Sequence, residues 1–127
     1  MPATSSFDYA IIRVVPRVDR GECINVGVIL FCRTRRFLGA LIHVDETRLQ
    51  AFAPQLDLAP LQIQLHHLLQ VCEGKAESGP VGQLSQSERF HWLVAPRSAT
   101  IQISPVHSGL CQQPEQALHN LMQKLVL

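Results

Sequence analysis

Long apolar runs rich in Ile and Val open the chain and predict the strands of a sheet. Residues 9–15 and 23–32 are apolar on both faces over most of their length, which is typical of central strands covered on both sides. Residues 37–44 form a third such run. Only the short polar segment 33–36 separates it from the second run, so the pattern predicts a hairpin.

The middle and the end of the chain follow a helical period. Asp57 is a good N-cap and Gly74 a good stop, and the apolar positions between them recur at steps of three and four residues. The apolar stripe of this helix consists of Leu58, Leu61, Leu65, Leu68, Leu69 and Cys72. Shorter helices are predicted by Asp45 as an N-cap, by a capping box at residues 85–88, and by Pro114 in a first turn.

Together these elements predict an α+β fold. Residues 99–104 alternate apolar and polar side chains and add a strand at an edge, whereas residues 104–109 have the composition of a turn. Strands connected by hairpins are typical of an antiparallel sheet with helices packed on it. We expect a sheet of three to four strands with about four helices packed on it. The sequence indicates a single domain over residues 1–127, with flexible residues 1–6 and a mobile loop at residues 75–83.

A polar segment at residues 16–22, PRVDRGE, lies between the first two predicted strands. Turn geometry accounts for its proline and glycine, but not for the two arginines and two acids beside them. Arg13 and Asn25 lie just inside the flanking strands, and the clustering indicates a binding site. The residues that we expect to bind an anion or a partner at this site are Arg13, Arg17, Arg20, Asn25, Arg97, Ser98 and His107.

Two interpretations of the polar segment remain open. In the first, its arginines bind an anion or an acidic peptide, and residues 95–98 approach from another loop. In the second, the arginines pair with the acids of the same segment, which is then a structural turn. Arg13 favours the first interpretation, because an unpaired guanidinium in the middle of an apolar strand is costly and needs a partner.

Metal binding and nucleophilic catalysis are disfavoured by the spacing of the reactive residues. His66 and His67 are neighbours on a helix and cannot face one ion, and the other four histidines have no partner at ligand spacing. We therefore expect no metal and no cofactor. His107 and Ser108 point to opposite sides of an extended chain, so the imidazole is badly placed to activate the hydroxyl. The G-x-S-x-G motif of many hydrolases is also missing, and an enzyme is disfavoured.

Nucleic acid is a disfavoured ligand as well. The arginines at residues 33–36 could contact phosphates without reading a base sequence. However, the chain has one Tyr and one Trp, and the pattern shows no platform on which bases would stack. A charged tip that keeps the hairpin soluble and prevents edge aggregation explains these arginines better.

Composition, charge and cysteine spacing limit the classes of protein to which the chain can belong. With 46% hydrophobic residues, 17% charged residues and a formal net charge of +1, the chain is a folded protein with no overall attraction for nucleic acid or anionic membranes. Four separated cysteines without a C-x-x-C pair predict buried, reduced thiols. The longest apolar run is far shorter than the ~20 residues of a membrane span. We expect a cytoplasmic protein that does not contact a membrane.

Four blocks of the chain resemble a bacterial family catalogued as domain of unknown function three-zero-three-seven: YAIIRVVPRVDRGECINVGVILF, RRFLGALI, GQLSQSERFHWLVAPRS and SPVHSGL. The resemblance runs from about residue 9 to residue 126. The family has no established activity, so the resemblance implies no catalytic residues. It does imply a protein partner, because similar genes occur beside that of a kinase resembling the persistence-toxin type.

We therefore expect a small accessory or interaction module without catalysis of its own. The alternative is a protein that binds a phosphorylated ligand or nucleic acid through an arginine-rich face, with or without an enzymatic activity. A homodimer is a further expectation, because two strands are apolar on both faces and few helices are available to cover them.

Overall fold

A five-stranded antiparallel sheet with four α-helices is seen in the computed structural model, which describes residues 3–95 and 99–127. The strands are β1 (Ser5–Val14), β2 (Ile24–Cys32), β3 (Phe37–Ile42), β4 (Ile101–Ile103) and β5 (His107–Cys111). The helices are α1 (Glu46–Phe52), α2 (Leu58–Glu73), α3 (Gln86–Leu93) and α4 (Pro114–Leu125). The expected α+β class is confirmed.

The sheet has the order β3-β2-β1, with β4 and β5 both paired to the far side of β1. The predicted hairpin of β2 and β3 is confirmed, as is the edge strand within residues 99–104. β4 pairs with the end of β1 and β5 with its beginning. Ser104 joins the two ladders, because its buried hydroxyl accepts the Ile11 backbone N–H at 2.8 Å and its own N–H donates to the Ile11 carbonyl.

β5 was not expected, and it raises the strand count above the predicted three to four. The sequence places Pro105 and Gly109 here, which are typical of a turn. The structure extends the chain from His107 onward, because its residues pair with β1, about one hundred positions earlier in the chain. Gly109 fits this pairing for a steric reason: a Cβ atom there would lie 2.6 Å from the ring of Phe7.

Helices cover the two faces of the sheet unequally. On the three-helix face, side chains of β1 and β2 such as Ile12 and Ile29 form the larger core with α1, α2 and α3. On the opposite face, which we call the α4 face, Val28 and Leu30 pack with Leu118 and other residues of α4. Both faces of β2 are therefore covered within one chain, and β2 needs no second copy to bury it.

The helix ends follow the predicted capping chemistry. Asp45 accepts the Arg48 backbone N–H at 3.1 Å, and Asp57 caps α2 by accepting the Ala59 backbone N–H at 3.2 Å. Both bonds of the capping box at residues 85–88 are present. Gly74 ends α2 in the left-handed conformation at φ 72°, as expected for a C-cap glycine. Local signals therefore predicted where the helices begin and end.

Residues 75–83, predicted as a loop, contain two short 3₁₀ turns, Ala76–Ser78 and Pro80–Gln83. Ser78 and Gly82 are buried within this segment, and the Ser78 carbonyl lies 3.2 Å from Nε2 of His67 on α2. The connection between α2 and α3 thus packs against α2.

Candidate functional site

The polar segment forms a tight turn between β1 and β2. The backbone N–H groups of Arg20 and Gly21 both donate to the Arg17 carbonyl, at 3.1 and 3.2 Å. Gly21 has a φ of 71°, which favours glycine over residues with a side chain. The segment therefore has the turn geometry that its proline and glycine predict.

Both arginines of the polar segment pair with acids of the same segment. Arg17 lies 3.3 Å from Asp19, and Arg20 forms a short ion pair with Glu22. All four side chains are more than half exposed, so these pairs contribute little to stability. They do neutralise the two guanidinium groups, as the second interpretation of this segment predicts.

An open cleft of about 590 Å³ lies beside the polar segment. Arg17, Arg20 and Glu22 line one side, and the connection between α1 and α2, residues 52–57, lines the other. Phe52 contributes apolar surface there. The cleft thus combines apolar side chains with paired charges.

Arg13 and Asn25 lie elsewhere, on the α4 face. They are direct cross-strand partners in β1 and β2, where the register shifts between Ile12 and Arg13. Ile12 pairs with Gly27 and Arg13 with Asn25, so Val26 is the extra residue of a β-bulge. Without the bulge, strict alternation would point Asn25 into the larger core.

Asn25 holds the end of α4. Its Nδ2 donates to the Leu125 carbonyl at 3.0 Å, which satisfies a carbonyl that the end of the helix leaves free. The bulge therefore has a structural use, because it turns this amide toward the helix.

Arg13 is half-buried between Asn25 of β2 and Gln102 of β4, its partner on the other side. Its Nε is buried, yet within residues 3–95 and 99–127 it has no hydrogen-bond partner. The partner that the sequence led us to expect is therefore not found in this part of the chain.

His107 lies on the same face but farther along β1. It pairs with Tyr9, and the two rings are 5.5 Å apart. Tyr9 and Arg13 are four residues apart on one strand, a distance of about 13 Å. Ser108 points to the other face, where its hydroxyl donates to Asp8 at 2.8 Å. His107 and Ser108 are thus separated by the sheet, as predicted.

The predicted site residues therefore fall into separate groups. Arg17 and Arg20 line the cleft, Arg13 and Asn25 share the α4 face, and His107 lies farther along that face. Arg97 and Ser98 lie outside the described residues. The sequence does not predict Gln102 as a neighbour of Arg13, because a short strand far along the chain gives no signal of its register.

The four cysteines are free thiols. Burial raises the pKa of Cys72 to about 12, although the nearby Arg89 lowers it in part. Burial also raises the pKa of Cys111, and the neighbouring Cys32 adds to this effect. Cys72 and Cys111 therefore remain protonated near neutral pH.

Within the two described ranges, no cluster of three or more His, Cys, Asp or Glu side chains could hold a metal ion. The helices seen there are also too short or too polar to cross a membrane.

Comparison with known proteins gives one match. The family described as "Protein of unknown function (DUF3037)" matches residues 9–126, nearly the whole chain. No curated protein and no solved structure matches. The match begins within β1 and ends after α4, so it includes the later part of β1 and all the other strands and helices described above. The chain therefore belongs to the DUF3037 family.

Proposed function

We propose that this protein is a non-catalytic interaction module of the cytoplasm, which binds an acidic side chain of a partner protein at Arg13. The observation that carries the proposal is the buried Nε of Arg13, which lacks a hydrogen-bond partner among the described residues. Leaving a buried polar group unsatisfied costs about 1–3 kcal/mol, and more for a charged group. A carboxylate from a partner would offset this cost by its attraction to the charged guanidinium group.

The surroundings of Arg13 favour a carboxylate over a phosphate. Its cross-strand neighbours are the amides Asn25 and Gln102, so one guanidinium supplies the positive charge. A single arginine matches the geometry and the charge of a carboxylate, whereas phosphate groups carry more charge and commonly bind arginine clusters.

The neighbouring surface favours a protein as the source of that carboxylate. Tyr9 and His107 lie on the same face as Arg13, and within residues 3–95 and 99–127 no strand pairs with the outer edge of β4 or β5. Aromatic side chains and arginine are enriched in protein interfaces. The kinase that the family resemblance implies is the first partner to test.

A second candidate function is the binding of a small phosphorylated ligand in the cleft. The cleft volume of about 590 Å³ favours this function, because it is within the usual range of small-molecule sites. Arg17 and Arg20 would bind the phosphate. Both would first have to exchange their pairs with Asp19 and Glu22, which reduces the gain from binding.

Thermal shift measurements with two matched variants separate these candidates. The probes are a hexaglutamate peptide, inorganic phosphate and a nucleotide, each tested on the wild type, Arg13→Gln and Arg17→Ala. We expect the peptide to raise the Tm of the wild type and of Arg17→Ala but not of Arg13→Gln, and the effect to vanish in roughly 0.5 M salt. Circular dichroism checks that both variants fold.

The opposite pattern would identify the cleft as the site. If phosphate or the nucleotide stabilises the wild type and Arg13→Gln but not Arg17→Ala, the second candidate is correct. If the peptide acts equally on all three proteins, Arg13 is not the site.

A further inference from the structure

The outer edge of β3 is open and lacks the usual protection against strand pairing. β3 is the last strand of the sheet and pairs with β2 on one side only. Its sequence FLGALI contains no charged residue and no proline, and all six residues are partly exposed. Natural edge strands are commonly protected by lysine, proline or a bulge. The outer edge of β3 therefore resembles an edge to which a further strand is added.

The backbone groups on this edge point away from the sheet. His43 donates its backbone N–H to the Val26 carbonyl of β2 at 2.7 Å, and the Leu41 carbonyl also points toward β2. Because alternate residues of a strand point their backbone groups to opposite sides, those of Leu38, Ala40 and Ile42 point away from the sheet. No hydrogen bond to these outward groups is seen in the described part of the chain.

Opposite charges lie at the two ends of β3. The turn before it, residues 33–36, holds three exposed arginines, which we call the arginine turn. After it come Asp45 and Glu46, both exposed. Asp45 caps α1, and Glu46 accepts a hydrogen bond from Gln62, so both carboxylates lie at fixed positions.

We propose that β3 pairs with β3 of a second copy of this chain in the antiparallel direction, which joins two sheets into one. Antiparallel pairing places the arginine turn of each copy beside Asp45 and Glu46 of the other. Parallel pairing would bring like charges together. A twofold axis at Ala40 makes this contact the same in both directions, as a symmetric dimer requires.

The register that pairs the largest number of outward groups is centred on Ala40. Ala40 faces Ala40 of the partner subunit, and Leu38 faces Ile42 in each direction. Three such pairs, each exchanging two bonds, give about six hydrogen bonds across the interface. The small residues Gly39 and Ala40 lie at the centre of the contact.

The other edge of the sheet does not offer the same complementarity. Pro105 and Val106 precede β5, and Gln112 and Gln113 follow it, so no charges of opposite sign flank that strand. The charge pattern therefore assigns the second copy to β3. Since Arg13 lies on β1, toward the other edge, this dimer would leave both copies of the proposed Arg13 site free.

Analytical ultracentrifugation of the full chain, together with charge reversal, tests the dimer. We expect the wild type to sediment with twice the mass of one chain. Arg36→Glu should weaken the dimer by at least about ten-fold, since each dimer contains the contact twice. The double variant R36E/E46R should restore most of the affinity, because the two charges are exchanged.

Ala40→Pro provides a second test. Its backbone N–H points outward, so proline there removes an intermolecular donor while the ladder to β2 is kept. We expect this variant to be monomeric, with circular dichroism confirming that it folds. Arg13→Gln is the matched control and should remain dimeric, so a failure of the Arg13 proposal leaves this test intact.

A wild type that remains monomeric at about 100 µM overturns the proposal. So does a folded Ala40→Pro variant that dimerises as strongly as the wild type. A double variant R36E/E46R that is no tighter than Arg36→Glu alone excludes the antiparallel charge contact.

Discussion

The two faces of the sheet differ in what they bury. The three-helix face has a continuous apolar core, whereas α4 packs mainly on β2 and β3 of the other face. The remainder of the α4 face carries Arg13, Gln102, Tyr9 and His107, which are half-buried or exposed. The larger apolar core therefore lies on the three-helix face, while part of the α4 face remains uncovered.

The largest expected effects come from truncating neighbours on β2 that point to opposite faces. Ile29 packs in the larger core and Leu30 under α4, and both are fully buried. Each change to alanine should cost roughly 2–5 kcal/mol of the free energy of unfolding, measured by urea denaturation. We expect Ile29→Ala to cost more, because a single helix can move into the cavity more readily than three can. A greater loss in Leu30→Ala would contradict this view.

High pH should weaken the three-helix face through Cys72. Its pKa is about 12 in the folded protein, against 9.0 as the ordinary value. The folded state therefore holds the thiol proton more tightly than the unfolded state does. This contribution to the free energy of unfolding is fully present below pH 9 and is lost as the pH rises toward 12. At about 1.4 kcal/mol per unit, the loss reaches about 4 kcal/mol.

The measurement is chemical denaturation at a series of pH values from 8 to 11 for the wild type and Cys72→Ala. We expect the variant to begin less stable but to lose less stability as the pH rises. Equal slopes would show that other groups cause the alkaline loss.

A smaller loss of stability is expected from a change at Ser104, which joins β4 and β5 to β1. Ser104→Ala leaves the Ile11 backbone N–H without its acceptor and should cost about 1–3 kcal/mol. Ser108→Ala, at an exposed hydroxyl bonded to Asp8, is the matched control and should cost less than about 0.5 kcal/mol. Thermal denaturation of both variants shows whether the Ser104 hydroxyl is required for full stability.

The smallest perturbation is thiol labelling of the native protein, which changes no residue. Cys23 is exposed and should react first with a disulfide reagent, followed by the partly exposed Cys111. Cys32 and Cys72 are buried and should react only on unfolding. Rapid labelling of Cys72 would show that the three-helix face opens more easily than the α4 face.

The sequence predicted those parts of the fold that depend on nearby residues. Caps at Asp45, Asp57 and Ser85 act within one helical turn, and their positions are correct. β5 was missed because its pairing with β1 depends on residues about one hundred positions away, while Pro105 and Gly109 locally resemble a turn.

The candidate site was harder to predict than the fold. The pairing of Arg17 with Asp19 is local, and one of the two interpretations included such pairs. The position of Asn25 beside Arg13 on the α4 face depends on a bulge in β2, because one extra residue there reverses the face that Asn25 takes. Bulges leave little trace in an apolar strand, so sequence spacing alone grouped residues that the fold separates.

The Ser104 hydroxyl has a consequence for how this fold can diversify. Because a side chain accepts the Ile11 amide where the edge strand is interrupted, the backbone is free to leave the sheet between β4 and β5. An inserted segment after Pro105 would leave both ladders to β1 unchanged. Loops of different length at this joint are therefore compatible with the same core.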